Sequence, residues 1–587
     1  MHPINYHVSF STRLLLLMAL FSANLLNALP LTEQAVVPNG NQNAPSDARA
    51  SDGSATGAAS SLNWWFENPW IDTKGGTLSQ QPVSADNDSM LMMRNETEQV
   101  MLVLENRSSE QKSFRLSLES SLPKNATKTE MFVVGGILSR YANGRDESAN
   151  GDWKGTSGVA LVNLLNEKQI KAFGKIIPPT FVEQETWKNF PDVVLKPGAQ
   201  IRLWIQVKTF QLTGTERTIC PPGHFSVEIA VKEANTDKVK IAIPVKVVSA
   251  TMPSDPLVEV LPYGGVSTQD GIDHHTTVTV YPDCDIGHGR FIFLNVFAAT
   301  GNWDIMTESM ASKMKSSPTD LERVGKALET YYRMTAKAGF GENQSLVEIL
   351  DEPTDKSADG WVTIAKMIRQ LRPDAKIVAN PPAHWEVGLM PATLDGTFKK
   401  LAPYVDIWIP HISHLKNKEI VSFMKSTGKP IWFYNNCALQ VARVESGISD
   451  TFRKMGWSTI ENDLQGMGFW SAHSPNGDMW DDFDTTKESN WNDAAVVFPS
   501  PAGAIGTRGW EAWRETVEDV NIHRMLQRRL TDPELPTEIR ERILAYLDES
   551  TEAVVNCPPL HTASLLEKLR REGTRLLELR DLSTSSY

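Results

Sequence analysis

The chain has 587 residues, with 58 Lys and Arg against 71 Asp and Glu and a net charge of −13. That length calls for several domains, each able to bury a core. Its mixed composition excludes a disordered or fibrous chain, and an acidic balance without a Lys/Arg stripe argues against nucleic acid as a partner.

Arg13 precedes an apolar run over 14–26, followed by small residues. The run is short for a membrane span but suits a signal-peptide core, so a signal peptide is predicted over 1–28, with cleavage near Ala28. The alternative is a membrane anchor. The expected location is secreted or periplasmic. Residues 29–62 are rich in Asn, Gly, Ala and Ser and read as a flexible linker.

Short segments with period-two alternation follow at 99–104, 113–118, 200–207, 225–231 and 239–247, separated by turn formers such as Lys196-Pro197-Gly198. This pattern predicts an antiparallel β-sandwich over 63–252. Beyond it, apolar strand-like runs alternate with helical ones. Strands are predicted at 258–262, 276–280, 291–295, 346–350, 376–379, 405–410, 430–434 and 466–470, and helices at 320–338, 361–371 and 418–426. Their number and spacing predict a (β/α)8 TIM-like barrel over 253–532. A C-terminal helical extension over 533–587 holds two amphipathic segments, 536–547 and 562–579, expected to pack on the barrel flank.

Within the barrel region the sharpest local feature is Glu348-Ile349-Leu350-Asp351-Glu352-Pro353. A buried strand runs into two adjacent carboxylates and a proline that ends the pairing. Barrel active sites lie at the C-terminal ends of the strands. Two neighbouring carboxylates do not both ionise easily, so one keeps a proton that a departing glycosidic oxygen can take. The bland alternative is a solvated acidic loop. Other strand ends supply Tyr434 and Asn435, Trp470, and His411, with His473 and Trp480 beyond. Aromatic faces and amides of this kind suit a sugar. Trp408 and Trp432, inside strands, are assigned to packing. The pairs His411/His414 and His274/His275 lack a third ligand, so no metal is expected. Arg508, Glu511, Arg514, Glu515, Glu518 and Asp519 crowd one helix at spacings that favour structural ion pairs, with Arg508 the one placed to reach the barrel mouth. Four scattered cysteines, Cys220, Cys284, Cys437 and Cys557, match no metal or redox spacing, and Asn-x-Ser/Thr triplets begin at Asn87, Asn95, Asn106, Asn125 and Asn343.

The Asp351-Glu352-Pro353 strand end resembles the catalytic strand of glycoside hydrolase family 123. The stretch from Gly468-Phe469-Trp470 through Trp480 and Val497-Phe498-Pro499 to Arg508-Gly509-Trp510-Glu511-Ala512-Trp513 and Glu518-Asp519 is similar to the C-terminal signature of that family and of the related domain of unknown function 4091. The resemblance implies an exo-acting β-N-acetylgalactosaminidase-like enzyme that uses the substrate's own acetamido group and needs no cofactor. Glu352 would be the acid/base and Asp351 would hold the 2-acetamido group. Tyr434, Asn435, Trp470, Trp480, His411 and Arg508 would bind a glycan or glycoconjugate. Two rival readings are a glycan-binding protein that no longer cleaves and a glycosidase for other sugars.

Overall fold

The computed structural model describes residues 61–70, 89–138, 159–175, 177–178, 181, 183–213, 216–233, 239–264, 266–280, 289–297, 313–382, 392–436, 448–472, 480 and 496–579. The predicted signal peptide and nearly all of the predicted linker lie outside them, as do Cys284, Cys437 and His473. Among the described residues no helix is long and apolar enough to cross a membrane.

The N-terminal region holds two five-stranded sheets. One is antiparallel, in the order Leu62–Glu67, Thr97–Asn106, Gln200–Lys208, Lys128–Leu138, Val159–Leu165. The other runs Met90–Arg94, Val239–Thr251, Gly223–Glu233, Lys112–Ser120, Asp192–Leu195, antiparallel except where Met90–Arg94 pairs parallel with Val239–Thr251. The predicted alternation is visible in Lys112–Ser120, where Phe114 and Leu116 are buried between exposed neighbours, as a strand with one wet face requires. Thr97–Asn106 departs from it. Met101, Leu102, Val103 and Leu104 are all buried, because this strand is covered on both faces and the second cover comes from the far end of the chain.

That cover is the helix Arg508–Arg529 with the helix Pro559–Glu578. Arg514 donates to the Thr97 carbonyl at 2.7 Å and to Gln99 Oε1 at 2.6 Å, and pairs with Glu511, Glu515 and Glu518 at 3.0, 2.9 and 2.6 Å. Arg570 pairs with Glu96, Glu98, Glu518 and Asp519 at 2.8, 2.5, 2.5 and 2.9 Å. Arg453 pairs with Asp519 at 2.9 Å and with Glu567. All three guanidiniums are buried. The expected ion pairs within one helix are present, and the contacts to Glu96, Thr97, Glu98 and Gln99 reach across more than 400 residues of sequence. The two tail helices, Thr537–Val555 and Pro559–Glu578, do not rest on the barrel-strand flank alone. Ile539, Ile543, Tyr546 and Leu576 share an apolar cluster with Met93, Val248 and Met252 of the N-terminal sheets and Ile522 and Leu526 of the Arg508–Arg529 helix.

The eight predicted parallel strands are all present: β1 Glu259–Pro262, β2 Val278–Val280, β3 Phe291–Asn295, β4 Ser345–Glu348, β5 Lys376–Ala379, β6 Ile407–Trp408, β7 Tyr434–Asn435 and β8 Gly466–Phe469. They form a five-stranded half-barrel, β2-β3-β4-β5-β6, and a three-stranded sheet, β1-β8-β7. At one seam the Trp432 N–H donates to the Trp408 carbonyl at 2.7 Å and the Tyr434 N–H to that of Pro410 at 3.1 Å. At the other the Thr277 N–H donates to the Val260 carbonyl at 3.1 Å. One face of these strands carries Leu261, Val278, Val280, Phe293, Leu346, Val378, Ile407, Ile409, Trp432 and Tyr434, a cluster of its own. The alternate residues, such as Val260, Leu294, Val347, Ile377, Trp408 and Phe433, join the larger core shared with the helices. Period-two alternation therefore sorts each strand between an inner and an outer packing layer.

The glycosylation triplets divide by burial. Asn95 and Asn106 are buried, and their amides donate to the carbonyls of Met252 and Leu195, so neither side chain is open to modification in the folded chain.

Candidate active site

The inner layer changes character at its upper end. One alternation beyond the apolar cluster, Phe293 gives way to Asn295, Leu346 to Glu348, Val378 to Asn380, Ile409 to His411, and Leu261 to Tyr263. Apolar packing stops there and polar side chains begin, all on the C-terminal side of parallel strands, where such folds place their chemistry.

Strand β4 ends at Glu348, earlier than its sequence suggests. Ile349 and Leu350 are buried beyond it. The chain then bends, placing Asp351 and Glu352 half-buried on the way to the helix Ala358–Leu371. Glu352 takes a left-handed conformation with φ 50°, which side chains with a β-carbon adopt at a cost. The bend is held by one amide. Asn380, at the end of β5, donates from Nδ2 to Asp351 Oδ1 at 2.7 Å and accepts at Oδ1 from the Glu352 N–H at 3.2 Å. From β7 the Tyr434 hydroxyl donates to Glu352 Oε1. Tyr434 is itself fixed by rings, with Tyr263 at 6.1 Å and His411 edge-on at 5.2 Å.

These contacts set the charges. Burial holds the Asp351 carboxyl above its ordinary range, with the Asn380 hydrogen bond working the other way. Burial, then the Glu352 carboxyl, pushes the Tyr434 phenol well above its usual value, so it stays a donor. Glu348 is the third carboxyl of the group. It is buried and lies opposite Asn295 in the β3–β4 register. Burial, then the Asp351 charge, raises it well above the carboxylate range.

The structure thus brings together Asp351, Glu352 and Tyr434, with His411 packed on the phenol. Trp470 follows β8 half-buried, its N–H on the Asn435 carbonyl at 2.8 Å. Alternation puts Asn436, rather than Asn435, on the inner face with Tyr434. Two expected binding residues sit elsewhere. Trp480 is buried against Phe173, Phe181 and Phe498, with its indole N–H on the Pro499 carbonyl at 2.8 Å, so its ring packs on the N-terminal region. Arg508 is fully buried, and its Nε donates to the Pro69 carbonyl at 2.7 Å. It opens its helix on the side that packs under the N-terminal sheets, not toward the mouth. Among the histidines, His414 Nε2 bonds the Pro382 carbonyl, His411 Nδ1 accepts from the Ser413 N–H, and His274 stacks on Trp510 beside Asp270 and Glu511. Glu348, Asn295, Asn380 and Tyr263 were not among the predicted site residues. Their signal was a polar residue closing an otherwise apolar parallel strand.

No family model matches the chain, and no curated protein matches it by sequence. Similarity is found among solved structures of glycoside hydrolases. In particular, the fold resembles that of a family 123 glycoside hydrolase from Clostridium perfringens, at TM-score 0.54 and 9% identity, covering 88% of this chain and 98% of that one. A family 39 glycoside hydrolase from Bacteroides cellulosilyticus aligns at TM-score 0.31 and 9% identity over 74% of this chain and 82% of that one. A family 5 xyloglucanase from Bacteroides ovatus aligns at 0.27 and 6% over 74% and 99%. These last two scores are too low to bear on the fold.

Proposed function

We propose that this chain is an exported glycoside hydrolase that removes 2-acetamido sugars by substrate-assisted, retaining catalysis, in the manner of an exo-acting β-N-acetylgalactosaminidase. In this reading the N-terminal sheets form a β-sandwich over 63–252 and the parallel strands close into a (β/α)8 barrel over 253–532. The observation that carries it is the pairing of Glu352, held by Tyr434, with Asp351, held by Asn380. The resemblance in fold to a family 123 glycoside hydrolase agrees with it.

The chemistry follows from what the strand ends offer. A conventional retaining enzyme needs a second carboxylate about 5–5.5 Å from the acid, to act as nucleophile. Among the described residues the other strand ends carry Tyr263, Asn295, Asn380, His411, Asn436 and Trp470. Asp478, Asp481, Asp482 and Asp484 lie outside those residues. The acetamido oxygen of the substrate therefore takes the nucleophile's place. Glu352 gives its proton to the glycosidic oxygen as the bond to the anomeric carbon breaks. The acetamido carbonyl oxygen closes on that carbon, forming a cyclic oxazolinium ion. Asp351, as the anion, accepts a hydrogen bond from the acetamido N–H and supports the positive charge. Tyr434, released from Glu352, can donate to the ring-closing oxygen. Water, deprotonated by Glu352, then reopens the ring with net retention.

A panel of chromogenic glycosides tests the reading. Turnover confined to 2-acetamido sugars, and strong inhibition by thiazoline mimics of the cyclic ion, are expected. A covalent sugar adduct on any aspartate, trapped with a fluorinated substrate, would restore the two-carboxylate mechanism. Export is tested by N-terminal sequencing of the mature chain, expected to begin near Leu29.

A further inference from the structure

Three carboxyls meet at the end of β4. Burial, Asp351, Glu352 and the Asn295 amide act on Glu348, and burial, the Asn380 amide and the Glu352 N–H act on Asp351. Among the described residues none of these groups is a cation. Glu348 belongs to the strand itself, with its carboxyl on the inner layer directly above Leu346. On β3 it faces Asn295, whose Oδ1 already accepts from the Phe297 N–H at 3.0 Å, and on β5 its register partner is Val378. From the packed helix Pro318–Lys337, Tyr331 feels the Glu348 charge, and its hydroxyl donates to the Leu346 carbonyl at 2.7 Å. One carboxyl oxygen, Oε1, meets no donor among the described residues.

An ionised carboxylate in such a place would lack compensation, and buried charge without a partner is strongly disfavoured. Burial and the neighbouring Asp351 charge both work against ionising Glu348. We propose that Glu348 is a positioning residue that stays a neutral carboxylic acid throughout the working range of the enzyme, so that Asp351 and Glu352 are left to share one negative charge. The function of that neutrality rests on the glycosidase reading. Substrate assistance requires Asp351 anionic and Glu352 protonated at the same moment, a net charge of −1 for the pair. An ionised Glu348 beneath them would favour protonation of Asp351 and remove the anion that orients the acetamido group. Burial keeps the third charge out, and the proton on Glu348 is stored rather than transferred.

The test reads protonation directly. Protein labelled with 13C at the carboxyls of Asp and Glu is titrated by NMR between pH 6 and 9. Among the carboxyls that remain protonated at pH 8, one is expected to keep its signal in Glu352→Gln and in Asp351→Asn, and to lose it in Glu348→Gln. Kinetics supply a second readout. Glu348→Gln copies the neutral acid, so kcat/KM should stay within roughly threefold of the parent near neutral pH, against the ~10²–10⁴-fold loss expected for Glu352→Gln. If no signal that is protonated at pH 8 is lost in Glu348→Gln, the proposal is overturned. A rate loss in Glu348→Gln as deep as in Glu352→Gln would overturn it as well, since the proton would then be one that moves. If Glu348→Gln does not fold, loss of the same signal in Glu348→Leu decides the assignment. If no glycoside is turned over at all, the glycosidase reading fails while the titration continues to report on Glu348.

Discussion

The molecule buries carboxylates in two places and holds them by opposite means. Beneath the N-terminal sheets, Glu96, Glu98, Glu511, Glu515, Glu518 and Asp519 surround Arg453, Arg514 and Arg570. At the strand ends, Asp351 accepts from the Asn380 amide, Glu352 accepts from the Tyr434 hydroxyl, and Glu348 lies buried beside Asp351. Ion pairs with guanidiniums hold the carboxylates of the first set in place, although burial still lifts Glu96 toward neutrality. Asp351 and Glu352, supported by an amide and a phenol, are the carboxyls that exchange protons in the proposed reaction. The Arg–Glu core is therefore architecture, and that pair is the part able to move protons.

The sharpest way to break this contrast is to remove one member of each set. Glu352→Gln is expected to cost ~10²–10⁴-fold in kcat/KM on substrates with poor leaving groups, with little change in unfolding free energy. A large loss of stability instead would move Glu352 into the architectural class. Arg570→Ala should do the reverse. It strands Glu96, Glu98, Glu518 and Asp519, and urea unfolding should show a loss of about 3–5 kcal/mol. The folded fraction should keep its activity per active site.

Asn380→Ala lies between the two. It removes a hydrogen bond to Asp351 and one from the Glu352 N–H, each to a charged or strained group and worth about 1.5–3 kcal/mol at most. Activity should fall roughly ten- to a hundredfold, and calorimetry should show a smaller change in stability than for Arg570→Ala. Equal losses in both measurements would erase the distinction between the regions.

The smallest expected effect is a pH dependence confined to the architectural side. His274 is held up to about 9, chiefly through Asp270 and Glu511 against the opposing cost of its burial. Its folded value lies above the ordinary 6.5, so its contribution is full below pH 6.5 and is lost as pH rises through about 9. Burial raises Glu96 to about 8, and stability associated with it likewise declines between pH 4.5 and 8. The unfolding temperature should fall from pH 6.5 to 9, and His274→Gln should flatten the upper part of that fall. An unfolding temperature that rose over this range would contradict both assignments.

How far these regions were legible from the amino acids follows from the range of their contacts. Alternation within a strand is local, so five of the N-terminal strands and the positions of the eight parallel strands could be placed from the sequence, although β4 ends at Glu348 and not at Leu350, and β7 is Tyr434–Asn435 where 430–434 was expected. The Asp351-Glu352 pair was legible because its two residues are adjacent. Tyr434 was legible as a residue of the mouth, but its bond to Glu352 and the role of Asn380 were not, since both side chains arrive from other strands. Arg508 and Trp480 misled for the same reason. Nothing near them in sequence announces Pro69 or Phe181, and a charged or aromatic residue looks available until its distant partner is known. Glu348 was hidden differently. Flanked by Val347 and Ile349, it reads as one polar residue in a buried strand, and only the register with Asn295 shows which way it faces.

The backbone at Glu352 has a bearing on how such a protein would change over time. Its φ of 50° suits glycine, and a β-carbon in that conformation costs about 1–2 kcal/mol. Glycine there would relax the bend, though it would also forfeit the hydrogen bond from Tyr434. A lineage released from selection on turnover would meet little resistance from the fold in discarding the acid. Directed evolution for heat resistance alone faces the same slope, so residue 352 is a position to hold constant in any stabilising library.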